Sequence, residues 1–161
     1  MSLDNNQENK FRVTHSVDEI ISQGTKSLLQ QIQSMTVSEK VKFALHAGKD
    51  ARGILIRDPN EQVTMAVLNS PKITEDEILQ IAQSRNVSDA VLRAIAKKRD
   101  WTKNYPISLA LVNNPKTPLG ASLNFLSTLK KKDLMTLAKN RNIGEALRST
   151  AIRLLLTRQG D

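Results

Sequence analysis

The sequence predicts an all-α fold, an α-α superhelix of about seven to nine short helices. Three observations carry that expectation. Residues 63–82, VTMAVLNSPKITEDEILQIA, reappear forty-four positions later as residues 107–126, ISLALVNNPKTPLGASLNFL. A short apolar helix, a turn containing Pro and a second apolar helix are therefore built twice from one plan. Helix-start signals recur along the chain: Thr36 with Glu39, Thr74 with Glu77, and prolines at 59, 106 and 118. Aromatic residues make up only 3% of the chain, which leaves burial to Leu, Ile, Val and Ala, residues that pack between closely approaching helices. No unit of this kind buries its apolar face alone, so stacking must supply the core.

Taken in order, residues 1–15 are rich in Asn, Gln and charge, carry too little apolar surface to offset the entropy of ordering, and are expected to form a flexible tail. Residues 16–161 read as one helical-repeat domain, with 16–35 as a capping helix and 36–161 as the repeat array. Ser16 and Glu19 have the spacing of a capping box, and Ile20, Ile21, Leu28, Leu29 and Ile32 follow at helical intervals interrupted by Gly24. This predicts a helix or broken helix over 17–34. Thr36 and Glu39 open a helix over 37–47, whose stripe of Val41, Ala44 and Leu45 ends at Gly48. A short helix over 50–57 stops where Asp58 is expected to cap a helix over 59–69, with Pro59 at its first position and Glu61 closing the box.

Thr74 then starts a helix over 75–84. The acidic run Glu75-Asp76-Glu77 lies in its first turn, where the helix dipole stabilises carboxylates, and is read as structural rather than as a metal or acid/base site. After a turn at 85–89, a helix over 90–98 carries Val91, Leu92, Ile95 and Ala96. Pro106 opens a helix to about 113. Residues 114–118 repeat the turn at 69–74, so Thr117 is expected to cap, and Pro118 to open, a helix to about 129. Lys130 to Asp133 start a helix to about 139, residues 138–143 echo 82–87 at an offset of fifty-six, and a last helix covers about 144–158. The Asn-Pro turns read as structural, because Asn suits helix ends and Pro sets the chain direction.

Net charge is +8, and its distribution is uneven. Residues 1–92 hold 10 Lys/Arg against 12 Asp/Glu, while residues 93–161 hold 14 against 4. Unpaired cations collected in one half sum to a long-range field that favours a polyanionic or acidic partner. The candidate binding residues are Arg85, Arg93, Lys97, Lys98, Arg99, Lys103, Lys130, Lys131, Lys132, Lys139 and Arg141. Arg85 and Arg141 hold the same place in a repeated Arg-Asn turn, where capping the carbonyls of the preceding helix is the ordinary role. Trp101 and Tyr105, near the first basic cluster, could stack on a base, although a core position is the ordinary role for such rings.

Several chemistries have no support. There is no Cys, hence no disulfide, Cys-zinc or Fe–S site, and the two His, His15 and His46, stand apart. Neither G-x-S-x-G, G-x-G-x-x-G nor G-x-x-x-x-G-K-[ST] occurs. No catalytic, cofactor-binding or metal residue is assigned and no cofactor is expected. No apolar run approaches the roughly 20 residues that span a bilayer, and the first residues lack a signal-peptide core, so a cytoplasmic location is expected.

Residues 58–126 resemble the leucine-rich-variant and HEAT-like class of α-solenoids, whose units read approximately V-R-x-A-V-A-x-N-P, then a small or Thr-Pro turn, then L-L-x-x-L-A. The matching pieces are 63–71 with 78–82, 91–97, and 109–118 with 123–126. The spacing is uneven, the usual Arg is present only at Arg93, and the Cys cluster preceding some leucine-rich-variant arrays is absent. The resemblance implies a curved stack of short helices and binding rather than catalysis. The expected function is a non-enzymatic scaffold or adaptor for a protein partner, an acidic one by charge. Nucleic-acid binding by phosphate contact is the alternative, and base-processing catalysis, which HEAT-like architecture can host, is a third class with no supporting motif.

Overall fold

A computed structural model describes residues 17–158, with side chains from residue 24 onward. The expected tail and the Ser16 capping box lie outside the described residues. Eleven helices and no strands occur among the described residues: α1 (Val17–Ser34), α2 (Val37–His46), α3 (Lys49–Leu55), α4 (Glu61–Leu68), α5 (Glu75–Gln83), α6 (Asp89–Lys97), α7 (Arg99–Thr102), α8 (Tyr105–Asn113), α9 (Leu119–Leu126), α10 (Lys131–Lys139) and α11 (Glu145–Thr157). The all-α reading stands, and the helix count exceeds the expected seven to nine. The ranges read one by one already make ten, and the eleventh is α7, a single turn between Arg99 and Thr102 that is too short to show apolar periodicity. α1 runs unbroken through Gly24.

Alternate helices pack side by side. α2 lies on α4 and α4 on α6, while α1 lies on α3, α5 on α8, and α9 on α11. Side-chain bonds supply two further steps, from Arg52 of α3 to Glu77 of α5 and from Tyr105 of α8 to Asp133 of α10. Two buried clusters result, one from Ile32 to Leu111 and one from Val112 to Ala151. α8 divides them, since Leu111 belongs to the first and Val112 to the second, and Phe125 of α9 touches both. Burial recurs with the sequence repeat: Val63 and Ile107, Val67 and Leu111, Thr64 and Ser108, Ile78 and Ser122, and Ala82 and Leu126 are all buried.

Two helix starts differ from expectation. Thr117 does not cap α9, because Pro118 stands at the N-cap, the position of Thr74 plus forty-four. Thr117 falls instead at the place of Ile73, which packs on the first cluster, and so points inward, buried, with its Oγ1 unpartnered. The preceding turn imposes this: Asn114 Nδ2 donates to the carbonyls of Ala82 and Ser84 at 2.7 and 2.9 Å, and its Oδ1 accepts the Lys116 N–H at 3.0 Å. Nor does Asp58 cap α4. Asn60 does so, accepting the Gln62 N–H at 2.9 Å, while Asp58 accepts the Asn60 N–H across Pro59 and pairs with Lys40 Nζ of α2 at 2.8 Å. Tied to α2, the Asp58 carboxylate sits outside the helix it was expected to open, and Glu61, now the first helical residue, closes no box.

The join between α3 and α5 is a buried, bidentate ion pair. Arg52 Nε and Nη2 donate to Glu77 Oε1 and Oε2 at 2.9 and 2.8 Å, and Nη1 donates to the Ala47 carbonyl at 2.7 Å. The two side chains are 6% and 8% exposed. Glu77 also completes its expected capping box with Thr74, so one carboxylate serves both a helix start and a tertiary contact. Burial pushes the Glu77 carboxyl up. The hydrogen bonds from Arg52 and Thr74, together with the Arg52 charge, outweigh burial and hold it below its ordinary value.

A carboxyl depressed on folding contributes stability above its unfolded pKa and loses that contribution as pH falls through its folded pKa. Glu77→Gln is therefore expected to cost about 3–5 kcal/mol at neutral pH, by leaving Arg52 buried without its counter-charge. The same change should flatten the acid side of the stability profile, read by urea unfolding from neutral pH down through the carboxylate range. At Thr117, replacing an unpartnered buried hydroxyl with a methyl in Thr117→Val should stabilise by about 1 kcal/mol, read as a raised Tm.

Candidate interaction surface

The turns between helices are held by a repeated device. The side chains of Asp58, Ser70, Ser84, Asn114 and Asn140 each accept the backbone N–H two residues on. Ser70 and Asn114 also donate to carbonyls at the ends of earlier helices, and the lysines two residues later follow, Lys72 Nζ reaching the His46 carbonyl and Lys116 Nζ the Val87 carbonyl. In the two expected Asn-Pro turns it is thus Ser70 and Asn114 that bond the backbone. Carbonyl bonding by basic side chains falls to Lys72, Lys98, Lys116 and Arg158, and to Arg52 beside its ion pair. Arg85 and Arg141 do not perform it: each occupies the middle of such a turn, and neither has a hydrogen bond or ion pair among the described residues.

All eleven candidate cations are exposed. Four of them are engaged locally. Arg93 pairs with Asp89 at 3.1 Å and Lys103 with Asp100 at 3.8 Å. Lys98 Nζ donates to the Leu68 carbonyl and lies 4.0 Å from the centre of the Trp101 ring, and Lys130 Nζ lies 5.0 Å from that of Tyr105. The other seven, Arg85, Lys97, Arg99, Lys131, Lys132, Lys139 and Arg141, have no partner among the described residues.

These cations do not converge on one channel. Arg93 and Lys97 share a groove between α6 and α9. Arg85 lies on the groove between α5 and α8 with Leu79, Tyr105 and Leu109. Lys132 and Lys139 flank the exposed Met135 on α10, and Lys139 and Arg141 meet Arg148 where α10 ends and α11 begins. Lys98, Arg99, Lys103, Lys130 and Lys131 line none of these four places. Arg148 is the addition that sequence reading missed. It is one of fourteen basic residues in its half, and only the packing of α11 on α10 brings it to the others.

The two aromatic residues are half-buried, Trp101 on the first cluster and Tyr105 on the second. Tyr105 does more than fill space. Its hydroxyl accepts the Lys130 N–H at 2.9 Å and donates to the Asp133 carboxylate, so a side chain of α8 links the N-cap of α10 to the third residue of that helix. Lys130 makes no side-chain cap bond, and Tyr105 satisfies the N-cap residue's own N–H, the amide that the third-residue carboxylate takes in a capping box. Burial and the Asp133 acceptor push the Tyr105 hydroxyl up, so it remains a donor.

His46 is exposed at the end of α2, and among the described residues no three His, Cys, Asp or Glu are grouped as metal ligands. His15 lies outside the described residues. No described helix is long and apolar enough to cross a membrane. No protein-family model matches the sequence, and no curated protein or solved structure matches it either. Tyr105→Phe is expected to cost about 1–2 kcal/mol, since the α10 N-cap amide loses its acceptor and Asp133 its donor; chemical denaturation with the far-ultraviolet helical signal as probe checks this.

Proposed function

We propose that the chain is a non-enzymatic helical-repeat scaffold, an α-solenoid of the HEAT-like or leucine-rich-variant kind, whose basic C-terminal half binds an acidic protein partner. The observation that carries this reading is the set of seven exposed cations with no counter-charge among the described residues. Their field is not spent inside the molecule and acts on what approaches it. Alternate packing of the helices and the recurrence of buried positions at an offset of forty-four support the solenoid. Apolar groups interleave with the cations, Met135 between Lys132 and Lys139 and Phe125 beside Arg93 and Lys97, a mixture that suits a protein surface. In this mechanism the scaffold presents a preformed surface, charge steers the encounter, and apolar contact holds the complex.

A second reading, nucleic-acid binding, is supported by the convergence of Lys139, Arg141 and Arg148. It would rest on phosphate contacts with little sequence preference. A salt series separates the two readings, using a fluorescent poly-glutamate peptide and single- and double-stranded DNA and RNA. Tight binding of the peptide with weak binding of the nucleic acids is the expected result, and the reverse order promotes the second reading. Changing Lys130, Lys131 and Lys132 together to Glu should leave the helical circular-dichroism spectrum intact and weaken the peptide about tenfold or more, equivalent to at least 1.4 kcal/mol. Unchanged peptide binding would remove the basic-face reading.

A further inference from the structure

α6 and α9 occupy adjacent places in one row of helices, yet they do not close on each other as α2 closes on α4 or α9 on α11. The other row is closed at the same level, where α5 packs directly on α8. α7 packs on both α6 and α8, and is inserted at the point where the chain passes from one row to the other. The opening coincides with the boundary between the two buried clusters, and Phe125, which touches both, lines it.

The resulting cleft measures about 410 Å³. Small residues form much of its lining: Ala96 on the α6 side, Gly120 and Ala121 on the α9 side. A Cβ built on Gly120 would meet nothing within 4 Å, so the space before it is unfilled by the protein. Arg93 and Lys97 stand one turn apart along the same wall. No carboxylate lines the cleft. Lys97 has no partner among the described residues, and Arg93 has only Asp89, an exposed pair on its own helix of the kind that contributes little and exchanges readily.

We propose that this cleft docks one amphipathic helix of an acidic protein partner. Its apolar side chains enter over Ala96, Gly120, Ala121 and Phe125, and two carboxylates one turn apart meet Arg93 and Lys97. Small lining residues permit the close approach that helix-in-groove recognition needs, and the paired cations set the register. A second copy of this chain is disfavoured as occupant by like charge, each copy carrying +8. A nucleic acid would leave the apolar lining uncovered. The inference rests on the acidic-partner reading above and narrows it to one place.

The test uses the full chain and a fluorescein-labelled 18-residue helical peptide with Leu and Ala at i, i+3, i+4 and i+7 and Glu on either side of that stripe. A peptide with Lys at every Glu position is the control. By fluorescence anisotropy the Glu peptide should bind and the Lys peptide should not. Arg93→Glu combined with Lys97→Glu should weaken the Glu peptide about tenfold or more and take up the Lys peptide, a swap that a merely unfolded variant cannot show. Gly120→Leu, which fills open space, should weaken the Glu peptide by a similar factor with the helical spectrum unchanged. If both groove variants bind the Glu peptide as the native chain does while the Lys130, Lys131 and Lys132 reversal abolishes binding, the cleft is overturned and the acidic-partner reading stands. The cleft is likewise overturned if poly-glutamate binds and the helical peptide does not. If neither binds, both readings fall.

Discussion

Most of these helices span only seven to ten residues, too few to persist in water by their own hydrogen bonds. Each depends on apolar contact with other helices, whether neighbours in sequence such as α10 and α11 or separated ones such as α2 and α4 or α5 and α8. Val63, Val67, Ile78, Leu92, Ile107 and Leu111 are fully buried for this reason, and each such side chain contributes about 1.5–3 kcal/mol when withdrawn from water. Stability is thus held between helices rather than within them.

Apolar contact does not by itself fix how one helix pair sits on the next; the polar turns supply that. Ser70 and Asn114 bond two residues ahead and also reach back to the carbonyls that close an earlier helix. Each turn satisfies its own backbone and the orphan carbonyls of its neighbour together. Arg52 and Glu77 serve the same end between α3 and α5, where the guanidinium also takes the Ala47 carbonyl at the end of α2. Tyr105 does so between α8 and α10. The bonds are directional, so they specify the placement that hydrophobic burial leaves loose.

This division of labour explains which charges are left without a partner among the described residues. Lys72, Lys98, Lys116 and Arg158 are taken up by carbonyls, and Arg52 by Glu77. Those that remain stand in the middle of turns, as Arg85 and Arg141 do, or on outward helix faces, as Lys132 and Lys139 do. The cleft between α6 and α9 joins Lys97, which has no partner among the described residues, and the exposed Arg93 to an apolar lining where these two helices stay apart. At the basic end of α10 and α11, by contrast, charge converges beside a single exposed apolar side chain, Met135.

The helical class, the internal repeat and most helix limits are legible in the sequence, because these follow from local rules: apolar spacing, capping boxes and proline. Thr36 with Glu39 and Thr74 with Glu77 form the boxes their spacing predicts. The sequence also shows which half is basic. Where a side chain had both a local and a distant partner within reach, the packing of the helices set the outcome. Asp58 leaves its helix for Lys40, Thr117 turns inward because Asn114 anchors the turn before it, and Glu77 adds Arg52 to its cap. The meeting of Arg148 with Lys139 and Arg141, and the opening between α6 and α9, depend on how helices far apart in the chain lie against each other. A local pattern is read within a few residues, whereas a shared surface exists only after loops have closed and distant faces have packed.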